Sequence, residues 1–187
     1  MNTFTISLVP ELSPHHLRWR NDSRIRRWTR QCEIATKEDH QRWLKGLEGD
    51  SSRKFFGVQV NWKNDVPIAG KFFRKEPEIV GCAGLTSMQR PHDTAEFSLF
   101  IGPEYQKNGY GKEALKELIR YGFGVLDLHV IWGETFDGNP AWQMFQGLGF
   151  EERGRMPEMY YKFGHRLDSI HFSLLKSKFE EAPWSTL

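Results

Sequence analysis

Cysteine is scarce in this chain. Cys32 and Cys82 are the only two among 187 residues, and they lie in separate segments. No C-x-x-C or Cys/His spacing surrounds them, so neither a disulfide framework nor a zinc site is expected. Seven histidines occur without ligand spacing, and no Ser/His/Asp arrangement points to a hydrolytic triad. No apolar run approaches the roughly 20 residues that a membrane helix needs, and Met1-Asn2-Thr3-Phe4-Thr5 has no basic leader character. Net charge is only +2, which by itself demands neither a nucleic-acid nor a membrane partner. Two nucleotide motifs are missing as well: no Lys-Ser or Lys-Thr closes a Walker A loop, and no G-x-G-x-x-G appears. These absences leave a soluble cytoplasmic protein with no metal as the expectation. Its 39% hydrophobic and 14% aromatic content suits a single domain over residues 1–187 with an apolar core.

The hydrophobic pattern that is present reads as strand, two helices, three strands, helix, strand, helix and two strands. Phe4 to Val9 alternates and stops at Pro10, as a strand does. His15 to Arg30 reads as an irregular amphipathic helix. Thr36 with Asp39 forms a capping signal for a second helix, whose stripe is Trp43, Leu44 and Leu47. Lys54 to Val60 and Glu78 to Met88 are strand-like. In the second of these, Gly81 and Gly84 predict a bulge or close backbone packing. Asn61 to Pro77 between them is longer than a hairpin turn, the length of a functional or mobile loop. Thr94 to Ile101 is the clearest strand, with Ala95, Phe97, Leu99 and Ile101 on one face and Thr94, Glu96, Ser98 and Phe100 on the other. Gly111 to Leu126 follows as a helix, His129 to Thr135 as a strand, and Pro140 to Leu148 as a short helix. Met159 to Phe163 and Asp168 to Leu175 read as a closing hairpin. Helices interleaved with strands after an antiparallel meander predict an α/β (α+β) mixed sheet with helices on both faces.

The junction Gln106-Lys107-Asn108-Gly109-Tyr110-Gly111, between the clearest strand and a helix, is built for an anion. A helix start leaves its first N–H groups without intrahelical partners and carries partial positive charge. Glycines let a phosphate approach those groups closely.

That loop has the pattern [Q/R]-x-x-G-x-[G/A], and three further stretches accompany it in order. They are Leu17-Arg18-Trp19-Arg20-Asn21-Asp22 with Arg26-Arg27-Trp28, Ile79-Val80-Gly81-Cys82-Ala83-Gly84-Leu85, and Asn139-Pro140-Ala141 with Gly147-Leu148-Gly149-Phe150. Together with Ala95-Glu96-Phe97 they resemble the GNAT superfamily of N-acetyltransferases, specifically its ribosomal-protein N-acetyltransferase (RimJ/RimL-like) branch. The resemblance implies a mixed sheet of six to seven strands, splayed at its centre, and acetyl-CoA as acyl donor. On that footing Gln106, Lys107, Asn108, Gly109, Tyr110 and Gly111 hold the CoA pyrophosphate, with Lys107 or Lys112 adding charge. Leu99, Phe100 and Ile101 pair with the pantetheine arm, and the N–H of one of them faces the developing oxyanion. Asn139 contacts the cofactor from the later helix or simply caps that helix.

Acyl transfer to an amine needs the amine neutral, so a base is required. The resemblance nominates Glu96. Many relatives place a tyrosine as general acid in the helix after the asparagine, whereas this chain has Phe145. Ser98, Tyr160 and Tyr161 are substitutes, or no acid is used, because a thiolate with a pKa near 8.5 leaves readily. The implied activity is direct acetyl transfer to a primary amine of a protein N-terminus, amino sugar or small molecule, by a monomer or homodimer. Two other readings stay open: a non-catalytic acyl-CoA-binding module, and a nucleic-acid-associated protein using the six arginines from Arg18 to Arg30.

Overall fold

The computed structural model describes residues 4–63, 66–68, 71–73 and 75–185. Its strands are β1 (Phe4–Val9), β2 (Lys54–Trp62), β3 (Val66–Ile68), β4 (Lys71–Phe73), β5 (Glu78–Gln89), β6 (Thr94–Ile101), β7 (Val130–Phe136), β8 (Glu151–Lys162) and β9 (His165–Leu175). The helices are α1 (His16–Asn21), α2 (Ser23–Arg26), α3 (Lys37–Lys45), α4 (Tyr110–Arg120), α5 (Ala141–Gln146) and α6 (Lys176–Glu180). Seven strands form one sheet in the order β1-β2-β5-β6-β7-β9-β8, and β3 and β4 make a separate hairpin. Every neighbour in the large sheet is antiparallel except β6 with β7.

That parallel pair is where the sheet divides. Only Thr94, Ala95 and Glu96 of β6 register with Val130, Ile131 and Trp132 of β7. Beyond Glu96 the strands separate, leaving Phe97 to Ile101 without main-chain partners on the β7 side. The alternation expected for β6 holds: Phe97 packs on Phe145 of α5 and Ile101 approaches Gly111 of α4, while Phe100 meets His16 of α1 on the opposite face. Helices therefore cover both faces. Leu115, Leu118 and Ile119 of α4 join Val58, Ala83, Leu85 and Ile131 in the core.

Close packing explains several glycines, including those of β5. A Cβ on Gly81 would stand 2.4 Å from the Phe100 carbonyl, and one on Gly84 2.4 Å from the Phe55 ring. Gly102, just past β6, faces the indole of Trp19, which is 1% exposed and donates Nε1–H to Glu104 at 3.0 Å.

Several elements differ from the sequence reading. The helix expected over residues 15–30 is two short helices, because Asp22 adopts an extended backbone (ψ 132°) and its carboxylate accepts the Arg24 N–H at 2.9 Å. Aspartate favours such a cap over a helix interior. The capping box of α3 is present, but α3 buries no residue: Leu44 is exposed, and Trp43 and Leu47 are half-buried. No further layer covers this rim helix, and Trp43 stacks on His16 and His40. The helix after β6 ends at Arg120 in a π turn over Tyr121–Val125. A Cβ on Gly122 there would press to 2.7 Å on Ile131. Most side chains of the 61–77 segment, read from its length as a functional or mobile loop, lie outside the described residues. Among the described residues, no helix is long and apolar enough to cross a membrane.

Candidate active site

A cleft of about 640 Å³ opens where β6 and β7 part. One end is the Gln106–Lys112 loop, its middle is walled by Leu99, Phe100 and Ile101 against Met144 and Phe145, and Glu96, Glu134 and Arg30 line the other end.

The loop turns through two residues of positive φ, Lys107 (65°) and Gly109 (81°). Its polar side chains serve the loop itself: Gln106 Nε2 donates to the Ile101 carbonyl at 3.0 Å, and Asn108 Nδ2 to the Tyr105 and Gln106 carbonyls. Among the described residues, no main-chain N–H from Lys107 to Lys112 donates to a protein carbonyl outside the helix. Lys107, Gly109, Tyr110, Gly111 and Lys112 line the cleft, and a helix start with free N–H groups beside two lysines favours a phosphate. Gly109 is required by its φ. Gly111 has no positive φ, and a Cβ there would make only an ordinary 3.5 Å contact with Ile101. Behind the loop, the Tyr105 hydroxyl donates to Glu78. That bond, with burial, pushes the phenol up to about 12.

At the far end, two carboxylates share one guanidinium. Arg30 Nη2 lies 2.6 Å from Glu96 Oε1, and Nη1 lies 3.1 Å from Glu134 Oε2. The carboxylate side chains are 8% and 6% exposed, whereas Arg30 is half exposed. Burial alone would lower the Arg30 guanidinium. The hydrogen bond and charge of Glu96, with the charge of Glu134, outweigh burial and hold it raised. Ser169 Oγ lies 2.5 Å from Glu134 Oε1 and 3.1 Å from His171 Nε2. With Glu134 ionised, the serine donates to the carboxylate and accepts the His171 Nε2–H.

The other expected site residues fall in different places. Ser98 lines the cleft. Tyr160 is not among the lining residues. Its ring packs 5.0 Å from Phe136, and burial, with the Glu134 carboxylate beside it, pushes its phenol up. Tyr161 is exposed. Asn139 Oδ1 accepts the Ala141 N–H at 3.0 Å and Nδ2 donates to Thr135 Oγ1 at 2.7 Å, so the side chain fastens the turn into α5. Phe145 lines the cleft and also belongs to an aromatic cluster, 5.3 Å from Phe97 and 5.1 Å from Phe172.

Glu134, Ser169 and His171 were not singled out by the sequence reading, although Glu134 stood as the one charge in an apolar strand. The arginine cluster is largely engaged within the chain. Arg18 pairs with Glu104, Arg24 with Asp22, Arg20 with Gln31 and Arg26 with the Cys32 carbonyl, while Arg27 lies over Trp28. Lys162, buried and lowered by that burial, donates to the carbonyls of Arg26, Thr29 and Gln31.

Comparison with known proteins agrees with this geometry. A spermidine N(1)-acetyltransferase of Vibrio cholerae is 29% identical over 105 residues, 56% of this chain and 61% of that protein. The enzyme of the same name from Escherichia coli K12 is 28% identical over 114 residues, 59% of this chain and 61% of its own length. The aligned part of the chain thus spans about three fifths of these curated relatives. The crystal structure of spermidine N-acetyltransferase from Vibrio cholerae in complex with CoA and spermine superposes with a TM-score of 0.77 at 22% identity, covering 94% of this chain and 97% of that one. That superposition is evidence for the shared fold. The acetyltransferase (GNAT) domain model matches residues 7–151, well over half the chain and including the split sheet, the loop and both carboxylates, and the protein therefore belongs to that family.

Proposed function

We propose that the protein is an acetyl-CoA-dependent N-acetyltransferase that moves an acetyl group directly to a primary amine. One observation carries this reading: a single cleft joins a loop of unpaired N–H groups to a buried carboxylate pair, along the unpaired side of β6. The residues fit the donor. Lys107 to Lys112 and the positive-φ turn at Gly109 suit a pyrophosphate, and the free main chain of Leu99 to Ile101 suits an extended arm. When bound, acetyl-CoA supplies an activated acetyl thioester.

The chain's own groups then manage the amine and its proton. An ammonium has no lone pair, so it must lose a proton before its nitrogen attacks. Glu96, held in place by its contact with Arg30, takes that proton through a bridging water and passes it to solvent. Glu134, fixed by Ser169 and Arg30, holds the second face of the amine site. Phe145 has no proton to give, and Tyr160 stands off the cleft wall. Ser98, one of the hydroxyl residues that line the cleft, would give the departing thiol its proton; a thiolate also leaves without one. The RimJ/RimL-like placement rests on the early W-R-N-D stretch and the A-E-F core. The relatives reported above are named for spermidine, so small amines are tested before protein N-termini.

The test is thiol release from acetyl-CoA over polyamines, monoamines, amino sugars and peptides. Amine-dependent release is expected, and Glu96→Gln should lower turnover by about 10²- to 10⁴-fold with acetyl-CoA affinity unchanged. Tight acetyl-CoA binding without release on any amine would replace this reading with a non-catalytic acyl-CoA module.

A further inference from the structure

The acceptor end of the cleft has a charge count that its family membership does not dictate. Glu96 and Glu134 are both buried there, and Arg30 bridges them, so the three groups together carry one negative charge instead of two. Arg30 is anchored, although its guanidinium is half exposed. The Lys162 ammonium, 5% exposed and reaching across from β8, donates to the main-chain carbonyls of Arg26, Thr29 and Gln31, on both sides of Arg30. Three donors meet three acceptors, so nothing favours release of this segment. Outside the carboxylates the mouth is cationic. Arg24 and Arg30 line it, and Asp22, the one acid among residues 18–30, is paired with Arg24.

We propose that Arg30, positioned by Lys162, sets acceptor specificity: the site takes an amine presenting a single ammonium and discriminates against diamines and polyamines. The net charge of minus one is satisfied by one ammonium at the carboxylates. A second ammonium on the same molecule would find no further carboxylate among the described residues that line the cleft, and would meet the guanidinium of Arg24 at its mouth. This inference rests on the reading of the cleft as an amine-acetylating site. It separates this chain from the spermidine enzymes to which it is similar.

The experiment compares kcat/KM for hexylamine, its six-carbon diamine and spermidine in the wild type, Arg30→Gln and Arg30→Lys. Wild type should favour hexylamine. Removing one fixed charge beside the site should raise the diamine-to-monoamine ratio about tenfold in R30Q, a solvent-discounted Coulomb effect. R30K, which keeps the charge, should stay near the wild-type ratio. Raising salt from about 50 to about 500 mM should narrow the wild-type discrimination severalfold by screening, a readout that needs no variant to fold. A wild-type preference for the diamine, an unchanged ratio in R30Q, R30K behaving as R30Q, or a ratio indifferent to salt each overturns the inference. If the wild type acetylates no amine, the broader reading fails instead. Calorimetric binding of the two amines to CoA-loaded wild type and R30Q then still reads the charge effect.

Discussion

Acidification from pH 7 to pH 5 should cost this protein about 2 kcal/mol through His16 alone, given its surroundings and the linkage relation below. The imidazole is 2% exposed, stacked 5.0 Å from His40 and 5.1 Å from Trp43, and 5.3 Å from Phe100. Among the described residues, neither of its ring nitrogens has a hydrogen-bond partner. Burial first, then the positive charges of His40 and Arg20, lower it from 6.5 to about 3. In the folded state the ring therefore stays neutral while the unfolded chain takes up a proton below 6.5. The neutral ring's contribution is complete above 6.5 and is lost as pH falls through the window down to about 3. At pH 5 the unfolded state lies about 1.5 units below its own pKa. At 1.36 kcal/mol per unit this is roughly 2 kcal/mol, whatever the folded value below about 4.

His16→Phe keeps an aromatic ring in the stack and removes the titration. Urea unfolding of both proteins at pH 7 and pH 5 isolates the effect, because every other titrating group is common to the two. The wild type should lose about 2 kcal/mol more than H16F over this interval, about 1 M in urea midpoint. At pH 7 the variant should gain about 1 kcal/mol by removing unpaired buried nitrogens. Equal losses in the two proteins would refute the argument, because His16 would then have to be protonated, or paired, in the folded state.

Two glycines test the donor end and the packing of α1 on the end of β6. Gly109→Ala places a Cβ on a backbone with φ 81° but meets nothing closer than 3.9 Å. The fold should survive at a cost of about 1 kcal/mol, while calorimetry should show acetyl-CoA affinity falling about tenfold or more as the N–H groups shift. Gly102→Ala would drive a methyl to 2.6 Å from the Trp19 indole, with an expected loss of about 1–3 kcal/mol and a change in tryptophan fluorescence. Gly154→Ala, which meets nothing within 4 Å, is the matched control and should leave thermal unfolding unchanged.

The parts of the fold that announce themselves in the sequence are those whose burial is one-sided. β6 alternates because one face meets α4 and α5 and the other meets α1, and α3 was legible through its Thr36–Asp39 capping box. β8 was read only from Met159 onward. Its residues from Glu151 to Met159 are exposed on both sides, so no period-two pattern arises, and Gly154 and Pro157 interrupt what pattern there is. The break at Asp22 was hidden because a capping aspartate inside an arginine-rich run looks like a surface charge. In the candidate site, Glu96 and the loop could be singled out from the sequence because the stretches that resemble the GNAT core run through both. Glu134, Ser169 and Lys162 were not, because their meaning comes from partners 35 to 136 residues away. Arg30 was visible as one of six arginines, but nothing in the sequence singles out the arginine that turns inward.

The parting of β6 from β7 also means that the sheet has an edge in its middle. A strand edge normally sits at the rim of a sheet, where its unpaired N–H and C=O groups invite any other chain to pair. Here the edge from Phe97 to Ile101 lies at the bottom of a cleft, with Trp28, Met144 and Phe145 on its walls. Another sheet is too broad to enter. A single flexible arm about one strand wide can, so the feature that would promote aggregation on an outer strand becomes, in this position, a filter on molecular width.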